Sequence, residues 1–295
     1  MLQAGVAGAG VFGGYHARKL AEQPGVRLVR VFDHDAARAS ALAQPRGGEG
    51  VDDLAAFLDG LDLVVIATPA ESHAELGLAA LAAGAHLYVE KPLASSLTDA
   101  DALVTAAAKS KRVGASGHQE RVTFAAMGLL STAQRPRSVH SVRRGLPSPR
   151  CRDVSCVLDL MIHDLDLALL LSAGDAVAVE AEGGYDTVKA EVVFSDGLVA
   201  VFEASREAPA RMRTMRLEYD TGDVEIDFLA PSFRNDSGVT LDAAFASSAT
   251  GRDPLGVSFA RFVAAARGEG APVATFTDAA RALDLALAVE AAAGL

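Results

Sequence analysis

A glycine-rich turn between a strand-like and a helix-like segment constrains this 295-residue chain more than any other feature. An apolar run over residues 2–7 leads directly into the turn, whose sequence is Gly8-Ala9-Gly10-Val11-Phe12-Gly13. Glycines at this G-x-G-x-x-G spacing allow a tight turn and let backbone N–H groups approach a pyrophosphate, which the positive end of the following helix attracts. The motif predicts a dinucleotide site formed by Gly8, Gly10, Val11, Phe12 and Gly13.

An acidic residue supports this prediction. A second strand-like segment ends in Val31-Phe32-Asp33, where a carboxylate would hold the hydroxyls of the adenosine ribose. The same carboxylate would repel a 2′-phosphate, so the sequence predicts NAD in preference to NADP, although His34 and Arg38 would soften that repulsion. A tight turn followed by an aspartate at a helix N-cap is the alternative without a ligand.

Residues 1–118 alternate short β-branched segments with Ala- and Leu-rich segments that carry apolar residues at helical spacing. Strict alternation of strands and helices implies right-handed crossovers and a parallel sheet covered on both faces. We therefore predict an α/β protein whose residues 1–118 form a dinucleotide-binding domain with a doubly wound Rossmann sheet.

The pattern changes after residue 118. A predicted helix over residues 123–133 precedes a loop rich in Pro and Arg, and a second predicted helix covers residues 157–171. Alternating segments separated by Asp/Gly turns follow, which is typical of hairpins, and two further helices are predicted near the C-terminus. Residues 119–295 are thus predicted to form an α+β substrate and oligomerisation domain with a largely antiparallel sheet.

Composition excludes several classes of protein. Half of the residues are hydrophobic and the net charge is −11, which excludes a disordered chain and disfavours a general nucleic-acid binder. The longest charge-free apolar stretches fall short of the roughly 18 residues of a membrane span, and the N-terminus lacks a basic signal-peptide region. We expect a cytoplasmic protein without membrane spans. Cys151 and Cys156 are too few for a disulfide framework or a zinc site, so two free thiols are expected.

Two turns follow predicted strands in the N-terminal half. One contains Thr68-Pro69, with His73 shortly after it, and the other contains Glu90-Lys91-Pro92. Ligands bind outside the carboxyl ends of parallel strands, so Thr68, Pro69, His73, Glu90 and Lys91 are predicted to border the nicotinamide half of the site. A helix boundary at the first turn and a solvated ion pair at the second are the alternatives.

A third cluster lies in the predicted helix over residues 157–171. Asp159 and His163 are four residues apart, which places them on one face of an α-helix. An imidazole can accept an alcohol proton near neutral pH, and a nearby carboxylate would orient it and stabilise its cation. A surface pair is the alternative. No second histidine accompanies the cluster, so no metal site is predicted.

Taken together and in this order, the glycine turn, Thr68-Pro69, Glu90-Lys91-Pro92 and Asp159-x-x-x-His163 resemble the Gfo/Idh/MocA family of NAD(P)-dependent sugar oxidoreductases. The resemblance implies that Lys91, Asp159 and His163 are the catalytic residues, that the bond before Pro92 is cis, and that copies of the chain pair through the second sheet as a dimer or tetramer.

Within that family, one subgroup shares more of the sequence. Gly117-His118-Gln119-Glu120-Arg121 and residues 158–166 are similar to segments of UDP-N-acetylglucosamine 3-dehydrogenases, which implies that His118 and Arg121 contact the substrate. Those enzymes typically continue with Phe-Asn-Pro, whereas this chain has Val122-Thr123-Phe124. The departure leaves the sugar undetermined.

A run of arginines bears on the substrate. Residues 135–152 contain no acid and six arginines, namely Arg135, Arg137, Arg143, Arg144, Arg150 and Arg152. Guanidinium groups suit phosphate oxygens, which favours a nucleotide-linked sugar, while a solvated or subunit-contact loop is the alternative. The sequence predicts an NAD-dependent dehydrogenase of a sugar or nucleotide-sugar hydroxyl, with UDP-N-acetylglucosamine at C3 as the candidate. The rival hypotheses are a dehydrogenase of a free monosaccharide or inositol-type polyol and a non-catalytic NAD-binding regulator.

Overall fold

The computed structural model describes residues 1–148 and 153–295, which divide into two compact units. The first unit comprises Met1–Gln119 and Leu255–Ala280, and the second comprises Glu120–Pro254 and Arg281–Leu295. This division differs from the predicted domains 1–118 and 119–295, because a C-terminal segment of the chain belongs to the first unit.

A six-stranded parallel sheet forms the first unit. Its elements in chain order are β1 (Leu2–Ala7), α1 (Val11–Ala21), β2 (Val26–Phe32), α2 (Ala36–Ala43), β3 (Glu49–Val51), α3 (Leu54–Leu58), β4 (Leu63–Ile66), α4 (His73–Ala82), β5 (His86–Val89), α5 (Leu97–Ser110) and β6 (Gly114–Ser116). The strand order is β3-β2-β1-β4-β5-β6, so the direction of winding reverses between β1 and β4. Dinucleotides bind at such a switch point. The predicted doubly wound sheet is confirmed.

The C-terminal segment joins the first unit through its apolar face. Phe259 and Phe262, on α9 (Pro254–Ala266), are fully buried in the same core as Val6 and Tyr88. The rings of Phe259 and Tyr88 stack with their centroids 4.7 Å apart. Helical spacing predicted a helix here, but spacing alone carries no information on which sheet the apolar face covers.

A seven-stranded sheet forms the second unit. The elements are α6 (Glu120–Met127), β7 (Ser138–Arg144), α7 (Ile162–Leu171), β8 (Ala176–Gly184), β9 (Thr187–Phe194), β10 (Val199–Ser205), β11 (Met212–Tyr219), β12 (Gly222–Asp227), β13 (Ser232–Asn235) and α8 (Ala249–Arg252), and α10 (Phe276–Ala292) begins in the first unit and ends in the second. The order is β13-β12-β11-β7-β10-β9-β8. Among the described strands of this sheet, only the β7–β10 pair is parallel. The predicted largely antiparallel sheet is confirmed.

Strand β7 corrects one prediction, because its residues were expected to form a loop. The strand alternates in burial, with Val139, Ser141 and Arg143 buried and the residues between them more exposed. A strand is recognised in a sequence by apolar residues at alternate positions. Here an arginine and a serine occupy inward positions, so that pattern is interrupted. Strand β8 was also missed, since its sequence is rich in Ala, Glu and Gly and most of its residues are exposed.

The predicted helix over residues 157–171 is present but is not α-helical throughout. It opens with a π-helical turn, Val157–Met161, and continues as α7. The Ser155 hydroxyl accepts hydrogen bonds from the N–H groups of Val157 and Leu158 at the start of this turn. The whole segment packs against β10. Among the described residues, no helix has the length and apolarity needed to cross a bilayer.

Candidate active site

The glycine turn after β1 is shaped for close backbone contacts. Gly8 has a φ of 98°, and a Cβ there would lie 2.6 Å from the carbonyl oxygen of Ala67. A Cβ on Gly13 would lie 1.8 Å from the carbonyl oxygen of Gly8. Gly10 is the N-cap of α1 and supplies no side chain to the first N–H groups of the helix. The turn therefore has the tight backbone and uncapped helix start that a pyrophosphate requires, and it fits a dinucleotide.

Asp33 directly follows β2 and stabilises this turn through hydrogen bonds. One of its carboxylate oxygens accepts a hydrogen bond from the Ala9 N–H at 2.8 Å, and the other accepts one from the Asp35 N–H at 3.0 Å. The Arg38 guanidinium lies 3.8 Å from the carboxylate. Each carboxylate oxygen can accept a second hydrogen bond, so the group retains acceptors for ribose hydroxyls.

Asp33 should set the preference between the two cofactors. We expect the protein to bind NADH more tightly than NADPH, and Asp33→Ser to narrow the difference by removing repulsion of the 2′-phosphate. Fluorescence titration with both nucleotides measures this. Arg38→Ala serves as the opposite control, because loss of its positive charge should widen the difference. Equal affinities in the unmodified protein would contradict the assignment.

His73 connects the two turns that were predicted to border the nicotinamide. Its ring is buried, with Nε2 2.9 Å from the Thr68 carbonyl oxygen and Nδ1 2.8 Å from the Pro92 carbonyl oxygen. Burial lowers the pKa of His73 despite these backbone contacts. The Ser72 hydroxyl donates to the Thr68 hydroxyl at 2.7 Å. His73 thus lies between the backbones of both turns, and its neutral ring can donate a hydrogen bond to one of the two carbonyl oxygens.

Glu90 forms a second link within the first unit. Its Oε1 lies 2.7 Å from Nε2 of the fully buried His16 on α1, and its Oε2 accepts a hydrogen bond from the Lys91 N–H at 3.2 Å. Burial alone would raise the pKa of Glu90, but His16 and Lys91 hold that pKa below its usual range. A side chain at Gly117 would collide with the carboxylate. The Lys91–Pro92 peptide is cis, as the family resemblance implied.

In the second unit, His163 contacts a carboxylate that the sequence did not indicate. His163 is the second residue of α7, and its Nδ1 lies 2.9 Å from Oε2 of Glu120. The other oxygen of Glu120 accepts a hydrogen bond from Arg143 at 3.0 Å. Burial alone would raise the pKa of Glu120, but His163 and Arg143 hold that pKa well below its usual range. The one available signal was that Glu120 stands beside Arg121 in a segment that the resemblance had singled out.

Asp159, predicted to orient His163, lies inside the π-helical turn. Its Oδ2 is 3.8 Å from Nη1 of Arg206, whose Nη2 is 2.7 Å from Asp186. The prediction assumed α-helical spacing from Asp159 to His163, whereas a π-helical turn has i to i+5 hydrogen bonding. A role for Asp159 in the reaction therefore stays a proposal.

The predicted substrate residues are both buried. Arg121 forms a two-bond ion pair with Asp166, with N–O distances of 2.8 and 2.6 Å. His118 belongs to the first unit and follows β6. The Arg121 guanidinium thus bridges α6 and α7, and contact with a substrate stays a prediction for both residues.

The arginines of residues 135–152 that the structure describes have protein partners. These are the Leu171 carbonyl for Arg135 (2.8 Å), Asp220 for Arg137 (3.9 Å), Asp164 and Glu120 for Arg143 (2.8 and 3.0 Å) and Glu203 for Arg144 (2.9 Å). Arg150, Arg152 and Cys151 lie outside the described residues. Cys156 is a buried free thiol, as expected, and burial raises its pKa to about 12.

Comparisons with known proteins decide the family. Residues 2–118 match the family model GFO_IDH_MocA, described as an oxidoreductase family with an NAD-binding Rossmann fold. A UDP-N-acetylglucosamine 3-dehydrogenase of Acidithiobacillus ferrooxidans is 34% identical over 235 residues, which cover 77% of this chain and 74% of that relative. The chain belongs to the Gfo/Idh/MocA family.

The solved structures agree. UDP-N-acetylglucosamine 3-dehydrogenase GnnA from Acidithiobacillus ferrooxidans superimposes with a TM-score of 0.89 at 32% identity, covering 99% of this chain and 97% of that chain. A second relative in the sequence comparison, the scyllo-inositol 2-dehydrogenase (NAD(+)) of Bacillus subtilis, is 28% identical over 235 residues, which cover 69% of this chain and 67% of that relative. The protein is an NAD-dependent oxidoreductase that acts on a CH–OH group.

Proposed function

We propose that this Gfo/Idh/MocA protein oxidises a secondary hydroxyl of a nucleotide-linked sugar, with UDP-N-acetylglucosamine, oxidised at C3, as the substrate. The observation that carries the proposal is a mostly buried imidazole held on a carboxylate, His163 on Glu120, in a chain whose first unit binds NAD. The 34% identity to a UDP-N-acetylglucosamine 3-dehydrogenase over most of both chains supports the choice of substrate.

The proposed chemistry divides among three side chains. NAD, when bound, supplies a hydride acceptor. His163 removes the hydroxyl proton of the substrate as the general base. Lys91 donates a hydrogen bond to the same oxygen and stabilises the negative charge that develops on it. Asp159, with its neighbour Arg206, contributes to the charge balance around the imidazole.

We assign the diphosphate of the substrate to Arg213 on β11. Arg213 is exposed and lies directly beside Arg143 in the register of β11 and β7. Arg143 already engages both Asp164 and Glu120, and no ion pair found among the described residues includes Arg213. The residue is exposed as a whole, but partial desolvation of its guanidinium and the neighbouring Arg143 lower the pKa of Arg213. An incoming anion would relieve this positive charge, and a guanidinium fork suits phosphate oxygens.

Arg213→Ala should raise the KM for UDP-N-acetylglucosamine about ten- to a hundredfold, because a charge-assisted hydrogen bond contributes roughly 1.5–3 kcal/mol. Reaction with free N-acetylglucosamine and with inositol should change little. The absorbance of NADH measures the rate of reaction with each of the three substrates. Arg216→Ala is the matched control and should leave the KM unchanged. Arg216 is three residues from Arg213 on the opposite face of β11, where its guanidinium is 2.6 Å from Asp223.

Other outcomes select the rival functions. If inositol or the free sugar is used as well as the UDP-sugar, and Arg213→Ala leaves every KM unchanged, the nucleotide-sugar assignment fails. A polyol dehydrogenase then replaces it, which the inositol dehydrogenase relative supports. No NADH formation from any of the three substrates would favour a regulator that binds NAD without turnover.

We also propose that copies of the chain pair through the outward face of the seven-stranded sheet. Half-buried Val142, Val193 and Val201 on this face lie among cross-strand ion pairs such as Arg144 with Glu203. A second copy would cover these valines. Light scattering should therefore give a mass of at least twice 30.4 kDa, and a monomer would contradict the proposal.

A further inference from the structure

The Glu120 carboxylate lies between nitrogen atoms from two other elements. Oε2 lies 2.9 Å from Nδ1 of His163, and Oε1 accepts a hydrogen bond from Nη1 of Arg143 at 3.0 Å. Arg143 in turn donates from Nε and Nη2 to the two oxygens of Asp164, at 2.9 and 2.8 Å. These four side chains, from α6, β7 and α7, form a continuous network. Its least exposed member, the Arg143 side chain, is 2% exposed, and its most exposed member, Glu120, is 17% exposed.

The network carries one more negative than positive charge when the imidazole is neutral, since Glu120 and Asp164 face the single cation Arg143. A proton on His163 brings the sum to zero. This excess negative charge lies beside the imidazole, in surroundings with little water that strengthen its attraction for positive charge. Arg213 on β11 adds positive charge beside Arg143 and offsets part of this excess, but solvent and salt screen this exposed residue more strongly than the buried Arg143. Asp159 and Asp186 share Arg206 on another side of the helix segment.

We propose that Glu120 is a positioning residue for proton transfer by His163. Its contact with Nδ1 holds the imidazole in the tautomer with a proton on Nδ1, which leaves Nε2 as the basic nitrogen. Its charge stabilises the imidazolium formed in the reaction. Arg143, fixed by Asp164, keeps the carboxylate ionised and prevents its rotation. The inference rests on the proposed role of His163 as the base and assigns to Glu120 the orienting role that the sequence had suggested for Asp159.

Glu120→Gln is a sharp probe of this role because the two side chains have nearly the same shape. A carboxylate offers an acceptor oxygen to each of the two donors, whereas an amide offers only one. Either Arg143 or His163 therefore loses its acceptor, and the negative charge is lost in both cases.

The test is a double-mutant cycle on kcat with the four proteins unmodified, Glu120→Gln, His163→Asn and the double variant. We expect Glu120→Gln to lower kcat about 10- to 100-fold, as loss of a group that orients a functional histidine does elsewhere. The double variant should be no slower than His163→Asn alone, since Glu120 acts through His163. The Kd for NADH, measured by fluorescence, should stay unchanged in all four.

Each alternative result has a definite meaning. A normal kcat in Glu120→Gln, or losses that multiply in the double variant, would overturn the role of Glu120 and leave His163 as the base. A normal kcat in His163→Asn would instead overturn the proposed base.

Two further variants separate positioning from loss of structure. Asp166→Asn breaks the neighbouring buried pair with Arg121, so it shows what a lost α6–α7 ion pair does to the melting temperature. In a double variant with His163→Asn, the fold-decrease in kcat caused by Asp166→Asn should multiply with that of His163→Asn. The fold-decrease caused by Glu120→Gln should not. Glu120→Asp keeps the charge and should be faster than Glu120→Gln. A kcat of Glu120→Asp below that of Glu120→Gln would contradict the inference.

Discussion

Replacement of His163 by Asn should lower kcat about 10²- to 10⁴-fold, the usual effect of removing a positioned acid–base group. Asn keeps a polar side chain of similar reach but cannot accept a proton from a hydroxyl near neutral pH. The Kd for NADH should be nearly unchanged, since the nucleotide-binding fingerprint lies in the other compact unit of the chain. Steady-state rates and fluorescence titration measure the two quantities.

His140→Asn provides the control for a histidine lost from the same unit. His140 lies on β7, where its exposed side chain is 3.7 Å from Glu203 on the neighbouring strand. Replacement of His140 should leave kcat equal to that of the unmodified protein within experimental error. If His163→Asn also turns over normally, the substrate proton must be accepted by another group and the proposed chemistry is wrong.

Gly13→Ala should abolish measurable NADH binding. A Cβ at this position would lie 1.8 Å from the Gly8 carbonyl oxygen, which is backbone and cannot move aside as a flexible side chain could. Helix α1 would have to shift away from the glycine turn, and the N–H groups that receive the pyrophosphate would shift with it. Fluorescence titration and thermal unfolding, measured together, distinguish lost binding from lost folding.

The adjacent glycine supplies the matched control. A Cβ on Gly14 would meet only the Leu42 side chain, at an ordinary contact distance of 3.9 Å. Gly14→Ala should bind NADH normally and unfold at a slightly higher temperature, because Ala is favoured over Gly inside a helix by about 1 kcal/mol. Normal NADH binding by Gly13→Ala would show that the turn adapts, contrary to the structure.

Local signals in the sequence were sufficient for the parallel sheet within residues 1–118. The glycine spacing, the aspartate after β2 and the alternation of strands and helices all depend on residues close together in the chain. They predicted the parallel sheet, and the cis bond before Pro92 followed from the family resemblance. Asp33 was predicted to hold ribose hydroxyls, but its hydrogen bonds to the turn itself became visible only in the folded chain.

The second unit depended more on contacts between distant residues. Strand β7 escaped prediction because Arg143 occupies an inward position, which is tolerated only where Asp164 and Glu120, from two other elements, neutralise it. The acid beside His163 was sought four residues away on the same helix, whereas Glu120 is 43 positions earlier in the chain. The first unit shows the same dependence at helix α9, which covers a core formed by strands more than 130 residues before it.

The sequence by itself therefore determined the nucleotide-binding motif and the class of each sheet, because these follow from residue type and short-range spacing. The catalytic candidates Lys91, Asp159 and His163 came from the family resemblance and stay a proposal. The tertiary structure alone decided which carboxylate contacts His163, which arginines of the second unit are already paired, and which sheet α9 covers. Charge pairing and burial depend on distances between residues that are far apart in the chain. The sequence pattern does not give those distances, which are set only when the chain folds.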